Sequence, residues 1–466
     1  MDSFIDGLEK LIETAAGRGA SYTGIGFQRR DYEYVEVSNK VLKEYTSRTM
    51  SGVGIRVAYK GALGYASTSD ISPGGLMKVL EAAIKAARSM PSGGGEPLTP
   101  VKVEQVEVGL PFRVDPFEVP PAEKVSVVMD ANKAAWNSDS IRSATTRMGL
   151  AKDDRLFISS EGARVRVVAP LVGLAHSSVA QVESVKEGLG SSESSCAGYE
   201  FIEDTDWNEF TDDLSDFAAE IVKAKTAPPG TYPVVIDQDV VGLVLHEAFG
   251  HASEGDTVTS GASVLQGRLR TSVAGEQVTI HDEGVVEGGY YHPYDDEGVK
   301  KGRTTIVEKG ILKGYITNRW SAKRLGVEST GNGRIQDFEN SPIVRMTNYY
   351  MEAGDYSVEE LVEDIDFGLY VQGKGRRGGQ VSPGMGTFTF GVGPSRVIRD
   401  GEAQEWVRGV VIGGSILDVL QSVDAVGNNF KVKTGVFGGC GKAGQTVKVG
   451  MGGPSIRARR MTVGGR

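Results

Sequence analysis

The chain has 466 residues, of which 24 % are charged and 39 % hydrophobic, and its net charge is −10. At roughly 100–200 residues per domain this leaves room for two or three cores, and the acidic balance speaks against a nucleic-acid role, because binders of phosphate backbones carry a basic field. Two cysteines, Cys196 and Cys440, are too few for a disulfide framework; no stretch approaches the roughly 18 apolar residues of a membrane span, and the acidic opening MDSFIDGLEK lacks the apolar centre of a signal peptide, so a cytoplasmic protein is expected.

In chain order, Phe4, Leu8, Leu11 and Ile12 have helical spacing. Residues 34–38, 42–46, 53–59 and 63–67 alternate or are rich in β-branched and aromatic side chains, and read as strands, with Lys60-Gly61 as a hairpin turn between the last two. Residues 74–89 form a helix with Leu76, Val79, Leu80, Ala83, Ile84 and Ala87 in one stripe, and the Gly/Pro-rich residues 91–100 form a loop or linker. The same theme then returns: a helix over 120–136 opened by proline, strands over 141–148, 156–160 and 165–172, and an amphipathic helix over 206–225. The fold class is therefore α+β: an N-terminal α+β domain over 1–226, bounded by the APPG turn at 227–230, and a β-rich domain over 227–466. The second domain has short strands at 234–236, 278–282, 304–307, 315–317, 387–390 and 407–412, and helices at about 239–253 and 415–422. Its many turns account for the 63 glycines, nearly twice the roughly 7 % of average usage.

The segment VVIDQDVVGLVLHEAFGHASEGD, residues 234–256, carries the chemistry. A strand leads into a helix that is almost wholly apolar until His246. A buried element that suddenly carries His246, Glu247 and His251 needs partners for its polar groups, and one metal ion would satisfy both imidazoles. Zinc accepts imidazole nitrogen, and a catalytic site uses three protein ligands and leaves a position open for water. A glutamate beside the first histidine is the residue type that takes a proton from that water. The logic is that of H-E-x-x-H, but the spacing is H-E-x-x-x-H. At about 100° per residue, helix positions i and i+4 lie about 40° apart and i and i+5 about 140° apart. A straight helix would splay the two rings, so this one is expected to be bulged or broken near Gly250, a π-type bulge being one solution. The third ligand is open on local grounds: Glu254 lies one turn beyond His251, and Cys440 sits in GVFGGCGKAGQ between Gly439 and Gly441, which let backbone approach a metal closely.

Five segments, HEAFGHASEGD at 246–256, HPYDDEG at 292–298, TGNGR at 330–334, RMTN at 345–348 and CGKAGQ at 440–445, occur in that order. Together they resemble the TldD/PmbA family of metallopeptidases, also called the modulator-of-gyrase family. The complete H-E-x-x-x-H motif resembles the TldD-type members, since PmbA-type members lack it. The resemblance implies zinc held by His246, His251 and Cys440, with Glu247 as general base, and so favours Cys440 over Glu254. It also implies peptide or unfolded-polypeptide substrates, and a homodimer or a heterodimer with a PmbA-type paralogue whose enclosed site keeps folded proteins out.

Other signals are weaker. GKGRRG at 373–378 matches G-x-G-x-x-G, but turn and strand patterns follow it where a dinucleotide fold requires a helix; its arginines read as a hairpin tip, or as partners for a peptide carboxylate. Asp295, Asp296 and Glu297 form an acidic turn that could orient a metal-bound histidine, meet a substrate amine or simply face solvent. His281 and His292 read as strand or loop residues and His176 as structural. The competing functional reading is a non-catalytic binding or assembly subunit with structural or absent zinc.

Overall fold

A computed structural model describes residues 2–91, 95–373, 375 and 378–465. Ser92, Gly93 and Gly94 of the expected linker, and Lys374, Arg376 and Arg377 of the GKGRRG segment, lie outside the described residues. The architecture is α+β, as the sequence pattern implies.

The N-terminal half is built on one seven-stranded sheet. Its elements are α1 (Asp2–Gly17), β1 (Tyr22–Ser38), β2 (Val41–Tyr59), β3 (Ala62–Thr68), α2 (Pro73–Ser89), β4 (Gln105–Gly109), α3 (Pro121–Ala134), β5 (Ile141–Ser159), β6 (Arg164–Val182), β7 (Val185–Ser195), α4 (Glu200–Glu203) and α5 (Trp207–Ile221). The order is β3-β2-β1-β5-β6, and the outer edge of β6 is shared between β4 and β7. Lys60 and Gly61 make the expected turn, both at positive φ. The stripe on α2 is buried as the periodicity requires, and packs with Leu8 and Leu11 of α1 on Ile25, Ile55 and Ile158 of the sheet. Further along the same strands, Val35, Val37, Met148 and Leu150 meet Val128 and Ala131 of α3 and Trp207 of α5. Odd positions of β1 therefore face the helices, as period-two alternation demands.

The opposite face of the sheet meets the C-terminal half. Gln28 accepts the backbone N–H of Phe338 at 3.1 Å, Arg155 pairs with Asp296 at 3.1 Å, and Arg56 pairs with Glu297. This explains why the sequence pattern breaks β5 in two. Asp153, Asp154 and Arg155 fall between the two expected strands, yet they lie mid-strand, and Asp153 and Arg155 serve largely buried ion pairs with Arg30 and Asp296. Here the HPYDDEG turn is a clasp between the two halves: Asp295 and Glu297 are buried, and Glu297 also accepts the backbone N–H of Arg319 at 2.7 Å. The expectations of a solvated turn and of a group beside the metal are both replaced. Removing one partner of such a buried pair leaves an uncompensated charge, at a cost of about 3–5 kcal/mol.

The chain changes sheet at β8 (Lys225–Thr226), which pairs with Glu402–Arg408 in a ten-stranded sheet. β9 (Gly230–Ile236) runs centrally in that sheet between Ile456–Gly465 and Phe367–Val371. A six-stranded sheet includes Ile280–Glu283, Asn348–Met351 and Gly450–Gly453. Between them, α6 (Gln238–Val244) joins one large apolar core. A Cβ on Gly242 would lie 2.7 Å from the backbone nitrogen of Gly452, so only glycine lets this helix rest on that strand. Two expected strands differ. Residues 315–317 contain only an isolated bridge from Ile316 to Glu254, and 407–412 is split by Gly409 at φ 67°. The GKGRRG segment leads into a hairpin of Gly378–Ser382 with Thr387–Gly391, not a helix. No described helix is long and apolar enough to cross a membrane.

Candidate metal centre

The site begins at Asp237, whose carboxylate caps α6 by accepting the N–H of Val240 at 2.9 Å. After Val244 the helix widens into a π turn over Leu245–Gly250, closed by the His251 N–H bonding to the His246 carbonyl, and ends in a 3₁₀ turn over His251–Ser253. The widened turn solves the five-residue spacing by bringing His246 and His251 to the same side, their rings 5.3 Å apart and nearly perpendicular. Gly250 itself has ordinary helical angles, so it is required for clearance and not for an unusual backbone. A Cβ there would sit 2.1 Å from the sulfur of buried Met346. Gly250→Ala is expected to destabilise the protein by about 1–3 kcal/mol as an overpacked core does; thermal melts should show the loss, and Met346→Ala in the same chain should recover part of it.

Cys440 opens a small hairpin, Cys440–Lys442 paired with Gln445–Val447, which turns at Ala443 and Gly444, both at positive φ. Its sulfur lies 3.3 Å from His251 Nε2. The ligand atoms of His246, His251 and Cys440 lie within 4.8 Å of one another, and all three residues are buried. Neither ring nitrogen of His246 makes a hydrogen bond, although both are inaccessible to water. Two orphaned nitrogens beside a thiol and a second imidazole form a donor set that a metal ion such as zinc could satisfy. The flanking glycines serve less directly than expected: Gly439 clears the Val447 carbonyl across its own hairpin, and a Cβ on Gly441 would meet nothing.

Glu247 differs from its neighbours. Its side chain is 33 % exposed, with Oε2 4.0 Å from His251 Nε2. It therefore stands at the rim of the cluster, partly open to solvent. Glu254, the other candidate third ligand, lies behind His251. It is fully buried, and its Oε2 is 3.0 Å from Nδ1, the nitrogen facing away from Cys440. Burial opposes its ionisation, but His251 and Lys442 beside it hold the carboxyl below its usual range.

Charge settles strongly in this pocket. Burial disfavours the cationic form of His251, but the Glu254 carboxylate and the Cys440 thiol overcome it and lift its pKa to about 10. Burial likewise pushes the Cys440 thiol up, yet the two imidazoles bring it down to about 4. Each group thus favours the charged form of the other, and a cation bound between them would displace the His251 proton.

Pattern reading overlooked the residues that fix the hairpin. Arg345, wholly buried, donates to the carbonyls of Cys440 and Gln445, and Arg334 donates to those of Met346 and Lys448. The signal was available: these arginines end TGNGR and begin RMTN, charged residues among glycine and apolar neighbours. His176 is structural, bonded to Thr146 and Ser178 at 2.8 Å each, while His292 and His281 are buried outside the metal cluster.

Three patterns of one known family match successive segments of this chain. The pattern described as the PmbA/TldA metallopeptidase C-terminal domain matches residues 229–465, its domain 1 matches 25–87, and its central domain matches 114–226. This chain belongs to the TldD/PmbA metallopeptidase family. A metalloprotease of Methanothermobacter thermautotrophicus is 37 % identical over 431 residues, 91 % of each chain. A zinc metalloprotease TldD homologue of Saccharolobus solfataricus is 29 % identical over 98 % of this chain and 99 % of its own. A crystal structure from Thermotoga maritima, described as a modulator of a DNA gyrase, superposes with a TM-score of 0.82 over 99 % of this chain and 100 % of its own; at 22 % identity the likeness concerns the fold.

Proposed function

We propose that this TldD/PmbA metallopeptidase is a TldD-type zinc enzyme that hydrolyses peptide bonds in small peptides or unfolded chains. His246, His251 and Cys440 would hold the ion, and Glu247 would act as general base. The observation that carries this reading is the pairing of a buried three-donor cluster with one partly solvent-open carboxylate at its rim. Bound there, zinc would polarise the scissile carbonyl and make water more acidic. Glu247 accepts the proton of the attacking water and returns it to the leaving amine. His251 keeps its orientation through Glu254, so its Nε2 stays turned toward Cys440.

An extended substrate has a place to bind. Gly378–Ser382 is the terminal strand of the ten-stranded sheet and lies against the π turn that carries His246 and Glu247. Its outer edge offers backbone groups for β-addition. The working form is a homodimer or a heterodimer with a PmbA-type paralogue, acting in the cytoplasm.

The test combines elemental analysis with peptide cleavage before and after chelation. Purified protein should carry zinc, lose cleavage on chelation and regain it when zinc is restored. Metal-free protein whose cleavage ignores the chelator would sink this reading and favour a binding subunit.

A further inference from the structure

The hairpin that carries Cys440 touches the metal helix at a second point. Cys440 and Lys442 are two residues apart on one strand, so their side chains leave the same face. The thiol reaches Nε2 of His251. The Lys442 ammonium lies 3.0 Å from Glu254 Oε2, the same oxygen that holds Nδ1 of His251. It also donates to Asp256 at 2.6 and 2.8 Å and to the Val344 carbonyl at 3.1 Å. Its three N–H donors thus have three acceptor groups, two of them carboxylates from the segment following His251. The imidazole is gripped from both nitrogens by one hairpin, directly through Cys440 and through Glu254 by way of Lys442. In sequence the device reads H-x-x-E-x-D against C-x-K, residues 251–256 against 440–442.

We propose that Lys442 is a positioning residue for the metal centre: by bridging Glu254 and Asp256 it sets the register of the Cys440 hairpin against the helix and keeps Glu254 on His251 Nδ1, so that Nε2 is the nitrogen offered to the ion. This rests on the zinc reading above. The pairing accounts for Oε2 of a fully buried carboxylate that stands outside the three-donor cluster. A carboxylate on the far nitrogen fixes ring orientation and tautomer, and losing such a group costs about 10–100-fold in metal affinity.

The test uses the full-length chain and four readouts of Lys442→Met and Lys442→Arg: zinc affinity by competition with a chromophoric chelator, the absorption spectrum of the cobalt(II)-substituted protein, thermal melting of the metal-free form, and peptide cleavage. Lys442→Met keeps the length of the side chain and removes the charge. It should bind zinc about 10–100-fold more weakly and weaken the sulfur-to-cobalt charge-transfer band, because Cys440 is no longer held in register. Lys442→Arg should recover most of the band and the affinity. If Lys442→Met fails to fold, Asp256→Asn removes one anchor of the ammonium and should give a smaller loss of the same sign. Wild-type affinity and an unchanged cobalt band in Lys442→Met overturn the proposal alone. A wild-type protein that binds neither metal overturns the zinc reading and this proposal together.

Discussion

Glu247→Gln should retain zinc and lose peptide cleavage by roughly 10²–10⁴-fold, the range that a general acid–base group contributes. The substitution keeps the size of the side chain and removes only its ability to take a proton. Two observations separate its effect from that of a ligand. Glu247 is absent from the set of donors within 4.8 Å of one another, and a third of its side chain is open to solvent, whereas His246 and Cys440 are closed off. Metal content should therefore match the wild type, and the melting temperature should move little, because the substitution keeps the size of a side chain that is one-third open to solvent. The loss should fall on kcat, because the proton is transferred in the chemical step. Steady-state kinetics on one defined peptide, with zinc measured on the same sample, decides the matter: cleavage at the wild-type rate removes Glu247 from the role of base.

Local patterns made much of the fold legible. The α2 stripe and the Lys60-Gly61 turn are set by neighbours in sequence, and they appear where their spacing puts them. The irregular helix was legible for a different reason. Two buried histidines five positions apart cannot share a face of a regular helix, so an irregular helix follows once both must meet one ion, and of the bulged and broken forms the structure takes the π turn. What stayed hidden was tertiary. The charged run Asp153–Asp154–Arg155 interrupts the strand pattern until Arg30 of the neighbouring strand and Asp296 of the other half pair with it. HPYDDEG looks exposed until Arg56 and Arg155 are brought to it from another sheet. Cys440, nearly 190 residues beyond His251, could be separated from Glu254 only by resemblance. In the structure Glu254 takes the nitrogen of His251 opposite to the one that Cys440 approaches.

The second large effect concerns His246→Ala, which should abolish tight zinc binding and with it all chelator-sensitive cleavage. The ring is fully buried and neither nitrogen reaches a partner with good hydrogen-bond geometry, so in the metal-free protein its role is the electrostatic one of holding the Cys440 thiol low. In that form the substitution trades a cavity, worth about 2–5 kcal/mol for large-to-small changes, against two unsatisfied polar atoms, each costing about 1–3 kcal/mol. The terms oppose one another, so metal-free wild type and variant should melt close together. The zinc-bound proteins should not. A ligand that binds only the folded state stabilises it by about 4 kcal/mol at a thousand times its Kd. That gain has a structural route here, because one ion held by His246, His251 and Cys440 would tie the α6 segment to the C-terminal hairpin. Wild-type protein should therefore gain several degrees on zinc addition and His246→Ala should gain almost none, as differential scanning calorimetry at matched free zinc would read. An equal zinc-dependent rise in both would mean that the stabilising ion sits elsewhere, and that the two orphaned nitrogens have another purpose.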